Sequence, residues 1–225
     1  MEHFIKAIVG INFRLLPDAN SLSTRVLPKG TIAEVIKEDE ETNTTYYQVV
    51  LEDGSTGYVT SKPQYVIDYI PEWERLEMNI AADGESFLGA NYVFGAKRYT
   101  IGQAPSVPVF DCSSFQRYIF GLNGISLGYD SRQQSIQGTS ASLDDLRSGD
   151  LVFYSDDGYV YHVVQYINVN GFDRILHTFD KTNTNIVRDR YLEPTGQIGG
   201  VTYSDFSVGT YWRNHADFAR RVNNL

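Results

Sequence analysis

Closely spaced turn residues constrain the N-terminal part of the chain more than any other feature of the sequence. Between Ile5 and Asp68, short runs of strand-forming residues alternate with turns such as Pro17-Asp18-Ala19-Asn20 and Asp53-Gly54. Short strands at a spacing of roughly ten residues are typical of a small barrel or sandwich. Two prolines and a change to helical composition over residues 63–74 indicate a linker. We therefore predict a small all-β barrel domain over residues 1–70 and a second domain over residues 71–225.

The overall charge of the chain argues against two classes of partner. The 225 residues carry a net charge of −9, and neither Lys nor Arg forms a dense run. This balance argues against nucleic acid and against an anionic membrane surface. No apolar segment approaches the ~20 residues of a membrane-spanning helix, and the run from Ala7 to Ile11 is too short for the core of a signal peptide. The sequence as written predicts a cytoplasmic protein. A phage-borne protein, one exported by another route, or a chain from which a signal has been removed would look the same.

Cys112 is the only cysteine of the chain. A single cysteine excludes an intramolecular disulfide framework and cysteine-rich structural zinc sites. Asp111 is a favourable N-cap residue, and Phe115 and Ile119 follow at helical spacing, so Cys112 is predicted at the N-terminus of a helix. Unpaired backbone N–H groups and the helix dipole favour a thiolate there, and Asp111 opposes part of this effect. The position can therefore hold an activated nucleophile.

Two hairpins are predicted after the cysteine helix. The turn Asp157-Gly158 follows a strand over Leu151–Tyr154, and Asn170-Gly171 joins a strand over Tyr161–Ile167 to one over Arg174–Phe179. Both dipeptides favour tight two-residue turns. The loop 96–108 has no periodicity and is interpreted as a wall of a cleft. Residues 194–225 are assigned only a closing strand and a tail.

The second hairpin is expected to bring two histidines together. If Asn170 and Gly171 are its central residues, Val164 lies opposite His177, and His162 projects from the same sheet face one diagonal step away. Such diagonal neighbours lie about 7–8 Å apart between backbone positions, a distance that two imidazole rings can bridge. We therefore expect His162 and His177 to contact each other.

Cys112, His162 and His177 match a nucleophile, a general base and a residue that orients the base. His162 would accept the thiol proton and return it to the leaving amine, and His177 would fix the tautomer of His162. A buried apolar cysteine and a structural cross-strand histidine pair are the alternatives. A Cys-His-His zinc site is a third interpretation, although it has no fourth ligand at a recognisable spacing. The coincidence of all three residues favours catalysis.

An ordered series of motifs in the N-terminal part resembles a known small barrel. The motifs are Asn12-Phe13-Arg14-Leu15-Leu16-Pro17, Leu27-Pro28-Lys29-Gly30-Thr31, Tyr46-Tyr47-Gln48-Val49 and Gly54-Ser55-Thr56-Gly57-Tyr58-Val59. Their order resembles that of the bacterial Src homology 3 domain, a barrel common in cell-wall proteins. One departure is Tyr46 or Tyr47, where that family often has Trp. The resemblance implies that residues 1–70 form such a domain.

A second resemblance covers most of residues 80–192. Its motifs are Tyr92-Val93-Phe94-Gly95, Asp111-Cys112-Ser113-Ser114-Phe115, Leu146-Arg147-Ser148-Gly149-Asp150-Leu151-Val152-Phe153-Tyr154, His162-Val163-Val164 and Ile175-Leu176-His177. They look like the motifs of the NlpC-type cell-wall cysteine peptidases, in the order of that family. The resemblance implies an α+β papain-like cysteine peptidase domain that needs no metal or cofactor. Its implied substrates are peptidoglycan stem peptides or muropeptides, cleaved between D-γ-glutamate and a diamino acid such as meso-diaminopimelate or lysine.

The same resemblance suggests residues that contact the substrate. Tyr92 would help the backbone N–H of Cys112 to form an oxyanion hole, and Asp111 and Ser113 would flank the nucleophile in the cleft. Ser131 aligns with a serine of the substrate loop that follows. The alternatives are a packed core aromatic for Tyr92, a simple helix cap for Asp111, and exposed polar residues for the two serines.

This chain departs from the family pattern in the walls of the expected cleft. Ala96 replaces a second glycine, Ser114 stands where glycine is common, and Gly128-Tyr129-Asp130 replaces the Pro-Arg-Thr that often precedes Ser131. These departures bear on substrate preference more than on catalysis. Two rival functions are also compatible with the sequence, a catalytically inactive cell-wall binding protein and a thiol acyltransferase on the same fold. The oligomeric state and the preferred diamino acid are not predicted.

Overall fold

The computed structural model describes residues 3–38, 45–169, 171–179 and 200–222. The chain divides into two compact units, Met1–Glu72 and Trp73–Leu225. Each unit has its own main sheet and its own hydrophobic core.

Seven strands form one antiparallel sheet in the N-terminal unit, in the order β3-β2-β6-β5-β4-β1-β7. Alternate residues are buried, such as Ile5 and Ala7 in β1, because successive side chains of a strand point to opposite faces. Gly57 in β6 packs directly on Phe13, where an added Cβ would come within 2.6 Å of the ring, so only glycine fits. The strands are β1 (His3–Ala7), β2 (Ile11–Arg14), β3 (Ser23–Leu27), β4 (Ile32–Glu38), β5 (Tyr46–Val50), β6 (Thr56–Thr60) and β7 (Val66–Tyr69).

The expectation of a linker over residues 63–74 is wrong for most of this segment. β7 pairs with β1, with Val66 opposite Ala7, and helix α1 runs from Glu72 to Glu85. Pro63 lies before β7, and Pro71 lies immediately before α1. Proline is tolerated at such boundaries because no regular backbone hydrogen bond is lost there. The prolines therefore mark the ends of elements and not a free connection.

The C-terminal unit combines a six-stranded antiparallel sheet with short helices. The strand order in this sheet is β10-β15-β11-β12-β13-β14, and β8 and β9 form a separate parallel pair. The elements after α1 are β8 (Asn91–Tyr92), β9 (Val109–Phe110), α2 (Cys112–Leu122), α3 (Ser131–Gln134), β10 (Thr139–Ala141), β11 (Leu151–Asp156), β12 (Tyr159–Val169), β13 (Phe172–Phe179), β14 (Gly200–Asp205), α4 (Tyr211–Asn214) and β15 (Phe218–Arg221).

Both faces of the six-stranded sheet are covered, which explains the continuous apolar runs in its central strands. On one face, Phe115 and Ile119 of α2 belong to a core that includes Phe153, Val163 and Leu176 of the sheet. On the opposite face, a second cluster packs around Trp212 of α4. Its buried members are Val152, Tyr154, Val164, Tyr166, Ile175, Phe206, Trp212 and Ala219. Among the described residues, the middle of the central strands is therefore buried on both faces.

The two predicted hairpins are confirmed. Asp156 pairs with Tyr159 around Asp157 and Gly158, whose φ angles of 47° and 79° are those of a tight turn with two left-handed central residues. In the second hairpin Val169 pairs with Phe172, the register that the predicted turn requires. Asn170 lies outside the described residues.

Candidate active site

A cleft of about 920 Å³ lies in the C-terminal unit at the N-terminus of α2. Six of the seven sequence-predicted site residues line it: Tyr92, Asp111, Cys112, Ser113, Ser131 and His162. The seventh, His177, lies behind His162 and contacts its ring. The fold therefore brings together residues from two helices and three strands that are up to 85 positions apart, from 92 to 177.

Cys112 is the first residue of α2, as the sequence predicts. The Asp111 side chain accepts a hydrogen bond from the Ser114 backbone N–H at 2.7 Å, and the Ser114 hydroxyl accepts one from the Asp111 backbone N–H at 2.8 Å. This reciprocal pair is a capping box, which satisfies donors that a helix end leaves unpaired. The cap fixes the backbone on both sides of Cys112.

The expectation of a thiolate-favouring environment is wrong for the isolated thiol. Burial, followed by the nearby Asp111 carboxylate, raises the pKa of Cys112 to about 12. Hydrogen bonds from the backbone of Val163 and Ser113 oppose this rise in pKa but do not overcome it. The helix terminus is thus outweighed by desolvation, which disfavours the charged form of any buried group. The contact with Val163 also places the sulfur beside the strand that carries His162.

The two histidines form the predicted cross-strand contact. The distance from Nε2 of His162 to Nδ1 of His177 is 3.1 Å, and Nε2 of His177 lies 2.9 Å from Oγ of Ser204 in β14. We call His162, His177 and Ser204 the histidine row. Because Nε2 of His162 faces His177, its Nδ1 is the ring nitrogen on the side away from His177.

The histidine row is buried and uncharged. Burial lowers the pKa of His162 to about 3. Burial also lowers the pKa of His177, and the neighbouring His162 lowers it further. Trp212 of α4 packs against both rings, with centroids 5.6 Å from His162 and 4.6 Å from His177. Phe179 stacks on His177 at 5.0 Å. Both imidazoles are therefore neutral, as is the Cys112 thiol in the same cleft as His162.

On the other side of Cys112, Arg98 holds the start of α2. Its guanidinium donates to the Asp111 carboxylate at 2.6 Å, to the Ser113 hydroxyl at 2.8 Å and to backbone oxygens of Ala96 and Tyr129. The side chains of Arg98 and Asp111 are only 10% and 8% exposed. We call Arg98, Asp111, Ser113 and Tyr129 the arginine clamp. Arg98 thus ties the loop 96–108 to the start of α2.

Tyr92 and Ser131 lie at two further positions in the cleft. Tyr92 pairs with Phe110 in the parallel β8–β9 bridge, one residue before the helix cap, and is half-buried. Ser131 begins α3 and is 8% exposed, with its hydroxyl donating to the Val160 carbonyl at 3.2 Å. Ser131 is therefore not the exposed polar residue of the alternative interpretation.

Sequence reasoning missed three residues of the site: Arg98, Ser204 and Trp212. Arg98 lies in a loop without periodicity, and the other two lie in the segment assigned only a closing strand and a tail. The alternation of Thr202 and Ser204 in β14 is the one signal that could have pointed to a polar partner in this strand.

Within the residues that the structure describes, no group of three or more His, Cys, Asp or Glu side chains is placed to hold a metal ion. The described residues also include no helix long and apolar enough to span a membrane.

The cleft, with a cysteine at a helix N-terminus and a histidine pair on the adjoining sheet, defines a cysteine-hydrolase type of site. Residues 89–221 match the NlpC/P60 family, and the chain belongs to that family.

Individual relatives cover less of the chain. The gamma-D-glutamyl-L-lysine dipeptidyl-peptidase of Bacillus subtilis (strain 168) is 34% identical over 111 residues, which are 48% of this chain and 33% of that protein. Its namesake from Bacillus cereus is 37% identical over 98 residues, covering 42% of this chain and 26% of that protein. The aligned regions thus span a third or less of these relatives.

Solved structures give more distant matches. An NlpC/P60 family protein from Bacillus cereus matches 98% of this chain and 63% of its own, with a TM-score of 0.49 and 22% identity. The peptidoglycan hydrolase RipB from Mycobacterium tuberculosis matches 68% of each chain, with a TM-score of 0.47 and 23% identity.

Proposed function

We propose that this protein is a cysteine endopeptidase that hydrolyses the amide bond between D-γ-glutamate and a diamino acid in peptidoglycan stem peptides. One observation carries the proposal: the only cysteine lies at a capped helix N-terminus in the same cleft as His162, which His177 contacts at 3.1 Å. Membership of the NlpC/P60 family and the names of the two Bacillus relatives support the choice of bond.

The geometry suggests how the nucleophile is generated. Burial favours neutral Cys112 and neutral His162, so the thiol proton passes to Nδ1 of His162 as the sulfur attacks the γ-carbonyl carbon. The carbonyl electron pair moves to its oxygen, where the Cys112 backbone N–H and the Tyr92 hydroxyl would stabilise the negative charge. The proton carried by His162 then goes to the departing amine, and a thioester remains on Cys112.

Hydrolysis completes the cycle with the same residues. Water gives a proton to His162 and adds to the thioester carbon, and the second tetrahedral intermediate collapses to a carboxylic acid. The sulfur leaves and takes the proton back from His162. Each turnover therefore consumes one water and returns the thiol, without a metal or cofactor.

Asp111, Ser113 and Ser131 are proposed to shape the substrate-binding wall. The hydrogen bonds of Asp111 and Ser113 are largely committed to Arg98 and to the cap of α2. Their contribution is then to hold the cleft wall rigid beside the scissile bond. Ser131, packed on the Val160 carbonyl, would border the same wall.

We also propose that residues 1–70 form a bacterial Src homology 3 domain and residues 71–225 a papain-like catalytic domain. The seven-stranded antiparallel sheet and the order of the motifs in the sequence support the first assignment. Family membership over residues 89–221 supports the second.

Product analysis by mass spectrometry tests the function. Wild-type protein and Cys112→Ala are incubated with L-Ala-γ-D-Glu-L-Lys and its meso-diaminopimelate counterpart, and with a matched peptide that contains L-Glu. We expect release of the diamino acid after D-Glu by the wild type alone, and no cleavage of the L-Glu peptide.

Two other outcomes would replace the proposal. Retention of a folded, reduced protein on purified cell wall without any cleavage would identify a binding protein. A product whose mass includes an added amine or alcohol acceptor would identify an acyltransferase. Cleavage by Cys112→Ala would overturn the assignment of the nucleophile.

A further inference from the structure

Ser204 continues the line of the two histidines across the sheet. In the pairing of β13 with β14, His177 is opposite Thr202 and Ile175 is opposite Ser204. Ser204 is therefore one diagonal step from His177 and on the same face, as His162 is on the other side. Diagonal neighbours are within reach of long or aromatic side chains. Three adjacent strands thus supply one residue each to the histidine row.

Ser204 is the only hydrogen-bond partner of Nε2 of His177 among the described residues. Ser204 is 2% exposed and His177 is fully buried. The edge contact with Trp212 and the stacked Phe179 surround the ring with apolar atoms. A buried N–H without an acceptor is costly, and Ser204 Oγ is the acceptor that a proton on Nε2 of His177 would have.

Neutral imidazole carries one proton, and this makes the row directional. Nδ1 of His162 must be unprotonated to accept the thiol proton, so the His162 proton is on Nε2 and is donated to Nδ1 of His177. His177 must then carry its own proton on Nε2, which points at Ser204. Reversal of this order would put a proton on the His162 nitrogen that faces Cys112, where it blocks proton transfer.

We propose that Ser204 is a positioning residue that accepts the Nε2 proton of His177 and so selects the tautomers in which His162 can act as a base. The inference rests on the proposed function and extends the expected Cys-His-His set by a fourth residue that does not touch the substrate. Through the hydrogen bond that it accepts, the hydroxyl oxygen also gives electron density to the row when His162 becomes an imidazolium during attack.

The first test is independent of substrate. Side-chain ¹⁵N chemical shifts of the four histidines distinguish the two neutral tautomers, and His177→Asn assigns the His177 signals. We expect His177 and His162 in wild-type protein to be protonated on Nε2. A His177 proton on Nδ1 would overturn the inference, whatever the variants do.

Kinetics of Ser204→Ala and Ser204→Thr provide the second test, with L-Ala-γ-D-Glu-L-Lys as the substrate. We expect Ser204→Ala to lower kcat about 10- to 100-fold with little change in KM, and to populate the Nδ1 tautomer of His177. Ser204→Thr keeps the hydroxyl and should restore the wild-type tautomer and most of kcat. Ser135→Ala is the matched control, because it removes another buried hydroxyl, one that donates to the Arg132 carbonyl outside the row.

The possible failures are distinguishable. If no peptide is cleaved by wild-type protein, the proposed function fails, and the tautomer measurement still decides the role of Ser204. If wild type cleaves the peptide and Ser204→Ala stays within twofold of its kcat with His177 protonated on Nε2, the function stands and the inference is wrong.

Discussion

Two buried polar assemblies flank Cys112, and they handle charge in opposite ways. The histidine row is uncharged, because burial lowers the pKa of both imidazoles. The arginine clamp contains an ion pair that is almost as well buried. The difference shows that burial does not exclude charge from this site. It excludes charge where the partners are too few to compensate it.

The number of hydrogen bonds explains the contrast. All five N–H groups of Arg98 have acceptors, and Asp111 also accepts from the backbone N–H and the hydroxyl of neighbouring serines. These hydrogen bonds offset the free-energy cost of removing the buried ion pair from water. In the aromatic environment of the row, His177 has one described hydrogen-bond partner on each ring nitrogen, and His162 has one, on Nε2. The clamp therefore fixes geometry, and the row remains free to accept a proton.

The strongest test of the contrast is removal of the middle of the row. His177→Ala leaves the Nε2 proton of His162 without an acceptor, and we expect kcat/KM for the tripeptide to fall about 10³-fold. His177→Asn offers an amide oxygen in the same direction and should recover at least tenfold of that loss. Full activity in both variants would show that His162 needs no orienting group.

Removing Arg98 from the arginine clamp should lower the free energy of unfolding more than it lowers catalytic activity. Arg98→Met leaves the buried Asp111 carboxylate unpaired, and we expect the free energy of unfolding to fall by about 3 kcal/mol. Both tryptophans lie in the C-terminal unit, so their fluorescence in a urea titration reports its unfolding.

The matched control for the clamp is an exposed ion pair of the same unit. Arg132 bonds to Asp130 at 2.9 Å with 58% of its side chain exposed, so Arg132→Met should cost less than about 1 kcal/mol. Adding Asp111→Asn to Arg98→Met should recover part of the larger loss. If Arg98→Met and Arg132→Met lowered the free energy of unfolding equally, the buried clamp would be no more stabilising than the exposed ion pair.

Exposing the two histidines to water should change the pH dependence of kcat/KM. Trp212→Ala exposes both rings, so the pKa of His162 should rise from about 3 towards its ordinary value. Activity is lost when His162 is protonated, so the acidic limb of kcat/KM should move to higher pH by about one unit or more. Activity measured from pH 2.5 to 8, with circular dichroism to check folding at each pH, tests this shift. An unmoved limb would mean that another group controls it.

A buried acid away from the cleft tests the same rule with a smaller effect. Burial, followed by repulsion from Asp150, raises the pKa of Glu77 in α1 to about 8, whereas the unfolded chain ionises near 4.5. Between these values the folded state binds the extra proton, so stability decreases as pH rises and levels off above pH 8. In Glu77→Gln the side chain cannot ionise, so this decrease of stability with pH does not occur.

The gain from Glu77→Gln relative to wild type should grow from near zero at pH 4.5 to at least about 1 kcal/mol at pH 8.5. Urea titrations of both proteins at several pH values measure it. A difference that does not vary with pH would show that Glu77 ionises normally when folded.

Local signals in the sequence were sufficient for the helix and the hairpins. Asp111 and the spacing of Phe115 and Ile119 located α2, and the Asn170-Gly171 turn predicted the register that joins His162 to His177. These features depend on a few neighbouring residues and on the two-residue period of strands. The contact between the two histidines, and the helix terminus that carries the lone cysteine, could therefore be predicted from residue types and spacing alone.

The remaining parts of the site depend on contacts between distant segments. Arg98 reaches α2 from an irregular loop, and Ser204 and Trp212 approach His177 from segments that begin more than twenty residues later. No local pattern marks such partners. The ionisation of Cys112 also could not be predicted, because the helix terminus is visible in the sequence and the degree of burial is not.

The central claim is that the sulfur of Cys112 performs the chemistry. Because the chain has one cysteine, methyl methanethiosulfonate can modify only this thiol, and the intact mass gives the modified fraction. We predict that peptide cleavage falls in direct proportion to that fraction, reaches zero at full modification, and returns when a reductant removes the label. Cleavage that persists on fully modified protein would contradict the account.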